Sequence, residues 1–432
     1  MDHLHRTYSA QLIGPVRKAV IFLSYAMLCL YGILFFLESL LGFNPRIIPL
    51  LRFGSALVAF LAVLLDGKIF LRPNRFFLWY LGIIAMSFVS NLYTVGNNGM
   101  AVSINMLETA FVAIAFYSTL RNRECIKQFL FLLGCSGGVL FLVLLANNAL
   151  HVDNRLGTAL TEGNTNNFAE YVMITFIAAT ITLTVTKRKS VKLIALVMCA
   201  VEIYMLLLSG GRKYIVAPLL MIVLFVWQKM KTVSLLKKLC MLFGVVIGLI
   251  LLWNLIMTNE VLYNALGKRF EEDSVESGTG DRFALVARGL SFFVRRPFFG
   301  YGENAYTSLN GAAFGDYRYS HNTYVELLTN LGLVGFLLYY IPYLETIIAL
   351  RKASKKSEKD NLAILFFAFM ISTLFLHIGT VAYATATLLI QLVAIGFRLV
   401  EFERQEINLI AEEKTDNAGS FRNTDTCTIF LA

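Results

Sequence analysis

Charge is scarce in this chain. Only 15% of its 432 residues are Asp, Glu, Lys or Arg, against roughly 25% in a soluble protein. With 57% hydrophobic residues and a mean hydropathy of +0.66, a soluble globular fold is excluded. No basic soluble domain stands apart from the apolar segments, so the net charge of +10 is not the footprint of nucleic-acid binding. Cysteine is sparse too. Cys29, Cys125, Cys135, Cys199, Cys240 and Cys427 form no Cys-x-x-Cys or Cys/His spacing, and none lies in the long polar stretch at 258–321. That argues against both a metal centre and a disulfide framework. The first apolar stretch is too long for a signal h-region and lacks a clear small-residue cleavage site, so it reads as a retained first span. There is no fixed-period repeat.

What the chain has is a succession of apolar runs, nearly all of about 18 residues or more, enough to cross a hydrocarbon core of ~30 Å. They fall near 19–41, 47–66, 76–93, 99–119, 126–148, 166–186, 191–209, 213–228, 238–257, 322–349, 361–379 and 382–400. The expected fold class is therefore all-α, a polytopic integral membrane protein with about twelve transmembrane helices. Basic clusters recur at alternate ends of these runs. Arg6, Arg17 and Lys18 precede the first, and Lys68, Arg72 and Arg75 follow the second. Arg121, Arg123 and Lys127 follow the fourth, Lys187 to Lys192 the sixth, and Lys229 to Lys238 the eighth. Arg351 to Lys359 follow the tenth, and Arg398, Arg404, Lys414 and Arg422 the last. The positive-inside rule makes that side cytoplasmic. Residues 1–400 thus read as one polytopic domain of the cytoplasmic membrane, and both termini are cytoplasmic. The segment 258–321 becomes a large extracytoplasmic loop with interfacial helices, and 401–432 a loosely ordered cytoplasmic polar tail.

The remaining basic residues fall on the outer side, against the bias. They are Arg46, Arg52, Arg155, Arg212 and Lys213, with Lys268, Arg269, Arg282, Arg288, Arg295, Arg296 and Arg318 in the long loop. Arg212 either snorkels to headgroups or contacts an anion, which Ser209-Gly210-Gly211 would let the backbone approach closely. In the loop, Glu271, Glu272, Asp273 and Glu276 read as a solvated acidic knot or a partner for the basics. Gly278-Thr279-Gly280 should then break the chain, and Asp281 should open a helix of about fifteen residues, with Thr279 or Asp281 near its N-cap. Phe283, Val286, Leu290 and Phe293 would lay that helix along the membrane interface. Arg282 in its first turn either pairs with Asp281 and the acidic knot or joins backbone N–H groups in an anion site. Gly300-Tyr301-Gly302 is a tight turn, since no strand or third glycine makes it a dinucleotide fingerprint. Ser320-His321-Asn322-Thr323-Tyr324 should open the tenth span. His321 at that helix N-terminus is either a cap or a general base kept neutral by the dipole, titrating near 6–7.

The block GDRFALVARGLSFFVRRPFFGYGENAY, followed after a spacer by SHNTYVELLTNLGLVGFLLYY, resembles the signature region of the O-antigen ligase and O-antigen polymerase superfamily. The shared features are an Arg opening a helix, a Pro-x-x-Gly-x-Gly turn, a His-Asn pair, and Glu-Leu-Leu before Gly-Leu-x-Gly. Asn154-Arg155-Leu156-Gly157 and Leu207 to Arg212 are similar to two upstream family features, so the likeness spans about 150–341. Val286 stands where the family often has Trp. The resemblance implies a bacterial membrane glycosyltransferase acting on an undecaprenyl-diphosphate-linked oligosaccharide at the outer face. Such an enzyme passes the glycan to an acceptor hydroxyl, with the lipid bilayer and other polysaccharide-assembly membrane proteins as partners. His321 is implied as general base, with Arg282 and Arg212 as catalytic cations. Arg155, Arg288, Arg318, Asn322 and Tyr301 are implied as diphosphate and glycan contacts. No cofactor and no metal are expected, Arg replacing Mg²⁺ at the leaving group, and one-step displacement would invert the anomeric centre. Polymerisation of O-antigen, capsule or exopolysaccharide repeat units is favoured over ligation to a lipid A core. A flippase or secondary transporter is disfavoured because the long loop lies outside, between the ninth and tenth runs, and intramembrane carboxylates are few.

Overall fold

In a computed structural model, the residues described are 2–42, 44, 46–65, 74–150, 156, 165–230, 234–268, 274–356, 361–384 and 387–424. Every regular element among them is helical. Nine long helices come first: α1 (Asp2–Leu41), α2 (Ile47–Leu64), α3 (Arg75–Ser90), α4 (Gly99–Thr119), α5 (Arg123–Ala146), α6 (Thr165–Val185), α7 (Lys189–Leu208), α8 (Arg212–Lys229) and α9 (Leu235–Thr258). A π-helical turn, Tyr263–Gly267, follows. Three loop helices come next, α10 (Ser274–Arg295), α11 (Ala305–Phe314) and α12 (Thr323–Asn330). The chain closes with α13 (Gly332–Lys356), α14 (Asn361–Leu376) and α15 (Thr387–Thr424).

A helix stands at each of the twelve apolar runs. Among the described residues, seven can cross a membrane by length and composition: α1 over Gly14–Glu38, α2, α4, α5, α6, α7, and α13 over Gly332–Lys355. α3 and α14 are apolar but shorter. The helices begin where the sequence offers caps. Asn74 and Asn122 each accept a backbone N–H three residues on, at 2.9 Å, satisfying an otherwise orphaned donor. Small residues let the helices approach closely. A Cβ on Gly134 of α5 would lie 3.0 Å from the Ala179 backbone of α6, the close packing that substitutes for a hydrophobic drive inside lipid. Trp79 of α3 is buried among Tyr339, Tyr343 and Phe397, and its indole N–H donates to the Tyr339 carbonyl at 2.8 Å. That contact ties α3 to α13 and α15.

Three expectations are corrected. Helix α10 begins at Ser274 and runs through Gly278-Thr279-Gly280, so neither Thr279 nor Asp281 caps it. The tenth span does not open at His321. The run is divided at Leu331–Gly332, where Gly332 takes φ +67° and starts α13, leaving α12 as a separate short helix. The polar tail is helical as far as Thr424, as a continuation of α15.

The side assigned to the loop is testable. Ala313, near the end of α11, and Lys355, near the end of α13, are both exposed, whereas Ser354 is buried and would resist labelling from either side. In a cysteine-free background, Ala313→Cys should react with an impermeant maleimide in spheroplasts, and Lys355→Cys should react only after permeabilisation. The reverse pattern would invert the topology and move the loop to the cytoplasm.

Candidate active site

The loop is built on a backbone lock. Tyr301 N–H donates to the Thr329 carbonyl at 3.0 Å, and Gly302 N–H to the Asn330 carbonyl at 2.8 Å. In return the Pro297 and Phe298 carbonyls accept Leu333 and Val334 N–H at 2.7 and 3.1 Å. The Pro-x-x-Gly-x-Gly turn thus caps the end of α12 and the start of α13 together, which explains why the glycines stand there. Gly302 has φ +94° with the Thr94 Cα 2.3 Å from a notional Cβ, and Gly332 sits 2.4 Å from the Phe298 carbonyl by the same measure. Any side chain would push two backbones apart.

Beneath the turn lies Glu303, fully buried and unmarked by any sequence pattern. Its carboxylate accepts Ser87 Oγ–H at 2.8 Å and Tyr383 O–H at 2.6 Å, and its N–H donates to Ser90 Oγ at 2.9 Å. Asn330 donates to the same Tyr383 hydroxyl at 3.1 Å. Loop, α3, α12 and the segment before α15 meet there.

His321 sits above this floor in a left-handed backbone conformation, φ +55°. That conformation is uncommon for a non-glycine residue and persists only where its surroundings impose it. They do so here. Ser320 is buried and donates both its N–H and its hydroxyl to the Glu326 carboxylate, while its Oγ accepts Asn322 N–H at 3.1 Å. Asn322 is the N-cap of α12, accepting Val325 N–H at 3.1 Å, and its amide donates to the Ile378 carbonyl at 3.2 Å. Both ends of the Asn322 side chain are therefore engaged in holding the turn. Thr323 N–H donates to the His377 carbonyl at 2.9 Å, and Thr323 Oγ1 to the Thr380 carbonyl at 2.6 Å. The His321 loop is pinned to the link between α14 and α15.

The imidazole is half-buried against the Tyr319 ring, centroids 3.9 Å apart. Its pKa is lowered to about 4, first by burial and then by the charges of Arg282, Lys213 and Arg318. Burial and these three cations keep the ring neutral at physiological pH. Lys213 was recognised in the sequence only as a misplaced cation. It donates to the Gly379 carbonyl and lies 4.9 Å over the Tyr214 ring, beside Glu170.

The other site residues separate into groups. Arg318 makes a bidentate pair with Asp316, at 2.9 and 2.8 Å, and reaches Asp281 at 3.1 Å. Arg288 binds Asp316 and Asn310, each at 3.1 Å, and packs 4.4 Å over Phe314. Asp316, beside Arg318 and Arg288, is held well below the usual carboxylate range. Asp281 therefore pairs with Arg318 and not with Arg282. Arg282 is exposed in α10 and has no ion pair among the described residues. Arg212 is half-buried at the start of α8, after Gly210 at φ +63°, and does not rank among the cations that bear on His321. Tyr301 lies under Arg296, 4.7 Å from its guanidinium, on the far side of the lock. Arg155, His151 and the knot residues Glu271, Glu272 and Asp273 lie outside the described residues.

Residues 194–340, from α7 to the first turns of α13, match the family model Wzy_C, described as O-Antigen ligase. That match supports a likeness of this segment to the O-antigen ligase and polymerase superfamily. The family segment contains Arg212, Lys213, Arg282, the backbone lock and His321 together. No curated protein matches the chain.

Glu326 is the Glu of the Glu-Leu-Leu motif. Burial raises it to about 7 against the opposing Ser320 hydrogen bonds. It holds the residue before His321 through the Ser320 hydrogen bonds. Glu326→Ala should lower kcat roughly 10–100-fold with donor KM little changed, the scale for a misplaced catalytic group. Glu326→Gln, which still accepts Ser320 N–H, should recover part of it. A donor KM that rises with kcat intact would show that Glu326 acts on binding instead.

Proposed function

We propose that this protein is a polytopic glycosyltransferase of the cytoplasmic membrane, with twelve crossings and the His321 loop outside. It would transfer a polyprenyl-diphosphate-linked glycan onto a sugar hydroxyl, polymerising surface-polysaccharide repeat units. The observation that carries the reading is a neutral imidazole held in a left-handed turn, under the charges of Arg282, Lys213 and Arg318. In the proposed step the acceptor hydroxyl loses its proton to His321 as its oxygen bonds to the anomeric carbon. The bond from that carbon to the diphosphate oxygen breaks, and the diphosphate leaves with the electron pair. Arg282, with Arg212 and Lys213 at the start of α8, would stabilise that charge without a metal. Attack opposite the leaving group inverts the anomeric centre. Helix α10 supports an interfacial placement, because it buries Leu285 and Phe292 but exposes Phe283, Leu290 and Val294.

Ligation and polymerisation differ only in the acceptor. The test is to incubate purified protein with a defined undecaprenyl-diphosphate oligosaccharide, with and without a lipid A core acceptor. A ladder of multiples of the repeat unit without the second acceptor supports polymerisation. Transfer only onto the core makes the protein a ligase, and no transfer to either rejects the enzyme reading.

A further inference from the structure

A second polar cavity lies apart from the His321 cluster but touches it. It encloses about 340 Å³ among α1, α2, α4, α6 and the start of α15, within the ~300–1,000 Å³ of small-ligand sites. Its wall combines planar polar groups from Arg52, Asn105, Asn167 and Glu170 with the rings of Tyr31 and Phe35. All six stand toward the ends of their helices that the charge pattern puts outside. Arg52 donates to Thr109 Oγ1 at 2.7 Å and reaches Glu108 at 3.5 Å, with its side chain only 11% exposed. Its Nε is buried and meets no partner among the described residues. A buried guanidinium N–H in that state is costly unless a ligand accepts from it.

The wall chemistry selects the ligand. The Glu170 carboxylate in the wall works against a diphosphate, which carries the same sign of charge. Amide, carboxylate and guanidinium groups together suit vicinal hydroxyls, which both donate and accept. Aromatic rings beside them suit the apolar face of a pyranose. Glu170 also joins the two sites. It lines the cavity, accepts Tyr214 O–H at 3.5 Å, and interacts with Lys213 and with Tyr319, the ring packed against His321.

We infer that this cavity is a sugar subsite that holds the acceptor glycan, with its reacting hydroxyl directed past Glu170 toward His321. The assignment of the sugar as acceptor rests on the glycosyltransferase reading above; the binding itself does not. The test uses full-length protein in phospholipid nanodiscs. The probe is the tritiated oligosaccharide that mild acid releases from the host's lipid-linked repeat unit. Saturable binding is expected, weakened at least about tenfold by Asn167→Leu and by Arg52→Gln. Inorganic pyrophosphate should not displace the sugar. Asn167 is exposed, so its variant keeps the packing intact and decides the matter if Arg52→Gln misfolds. Absence of saturable binding, undiminished binding to Asn167→Leu, or displacement by pyrophosphate would each overturn the subsite. Intact Asn167-dependent binding in a protein that transfers nothing would overturn the catalytic reading and leave the subsite standing.

Discussion

His321→Ala should lower glycan transfer by ~10²–10⁴-fold with donor binding largely kept, the range for losing a general base. His321→Gln should be as inactive, because an amide keeps a hydrogen bond but takes no proton. The pH profile carries a second, sharper expectation. Burial and the neighbouring cations lower the free imidazole to about 4, so the base is competent throughout neutral pH. Protonation, and with it loss of rate, comes only on acidification toward that value. When the anionic donor binds, its diphosphate offsets the charges of Arg282, Lys213 and Arg318, and the imidazole pKa rises. The acid limb of kcat should therefore lie at higher pH than that of kcat/KM, since the first reports the complex and the second the free enzyme. A His321→Ala enzyme with wild-type turnover and an unchanged acid limb would put the base elsewhere.

Arg282→Ala should lower transfer by at least ~10²-fold, the scale for removing one donor from developing charge. Arg212→Ala is expected to do the same. Arg282→Lys should recover only part, because the ammonium lacks the bidentate fork. Arg318→Ala makes the informative contrast. Its guanidinium is already committed to Asp316 and Asp281, so its loss should act through the loop's stability more than through the leaving group. Arg318→Ala should thus lower the melting temperature of the purified protein, which Arg282→Ala should leave unchanged. If Arg282→Ala turns over normally, the diphosphate is held by other groups, with Lys213 the first to examine.

The helical fold was legible because lipid leaves so few options. Apolar runs of crossing length and basic clusters at alternate ends do not need tertiary contacts to be read. The motif set Arg282 and His321 in one region of the sequence, and the charge of Arg282 does bear on the imidazole. What escaped lay in contacts between distant segments. Lys213 acts on His321 only because α8 packs along α14, and Gly379 lies in the link just after it. Glu326 looked like part of a span because Leu331–Gly332 interrupts the apolar run without interrupting its composition. The start of α10 was misjudged for a local reason. Two glycines weaken a helix by only ~1 kcal/mol each, and the amphipathic stripe beyond them outweighs that.

The Glu303 hub sets an order of assembly. Its partners Ser87, Ser90 and Tyr383 are separated by most of the sequence. A ribosome adds ~5–20 residues each second, and Tyr383 is the last member of the hub to be made. Until it arrives the loop lacks its floor, and the His321 turn lacks its anchors at His377, Ile378 and Thr380. The site therefore matures only when synthesis is nearly over. A chain stopped just after α14 would retain every side chain proposed for the chemistry, yet its outer loop should be open to protease from the outside, where the finished protein resists.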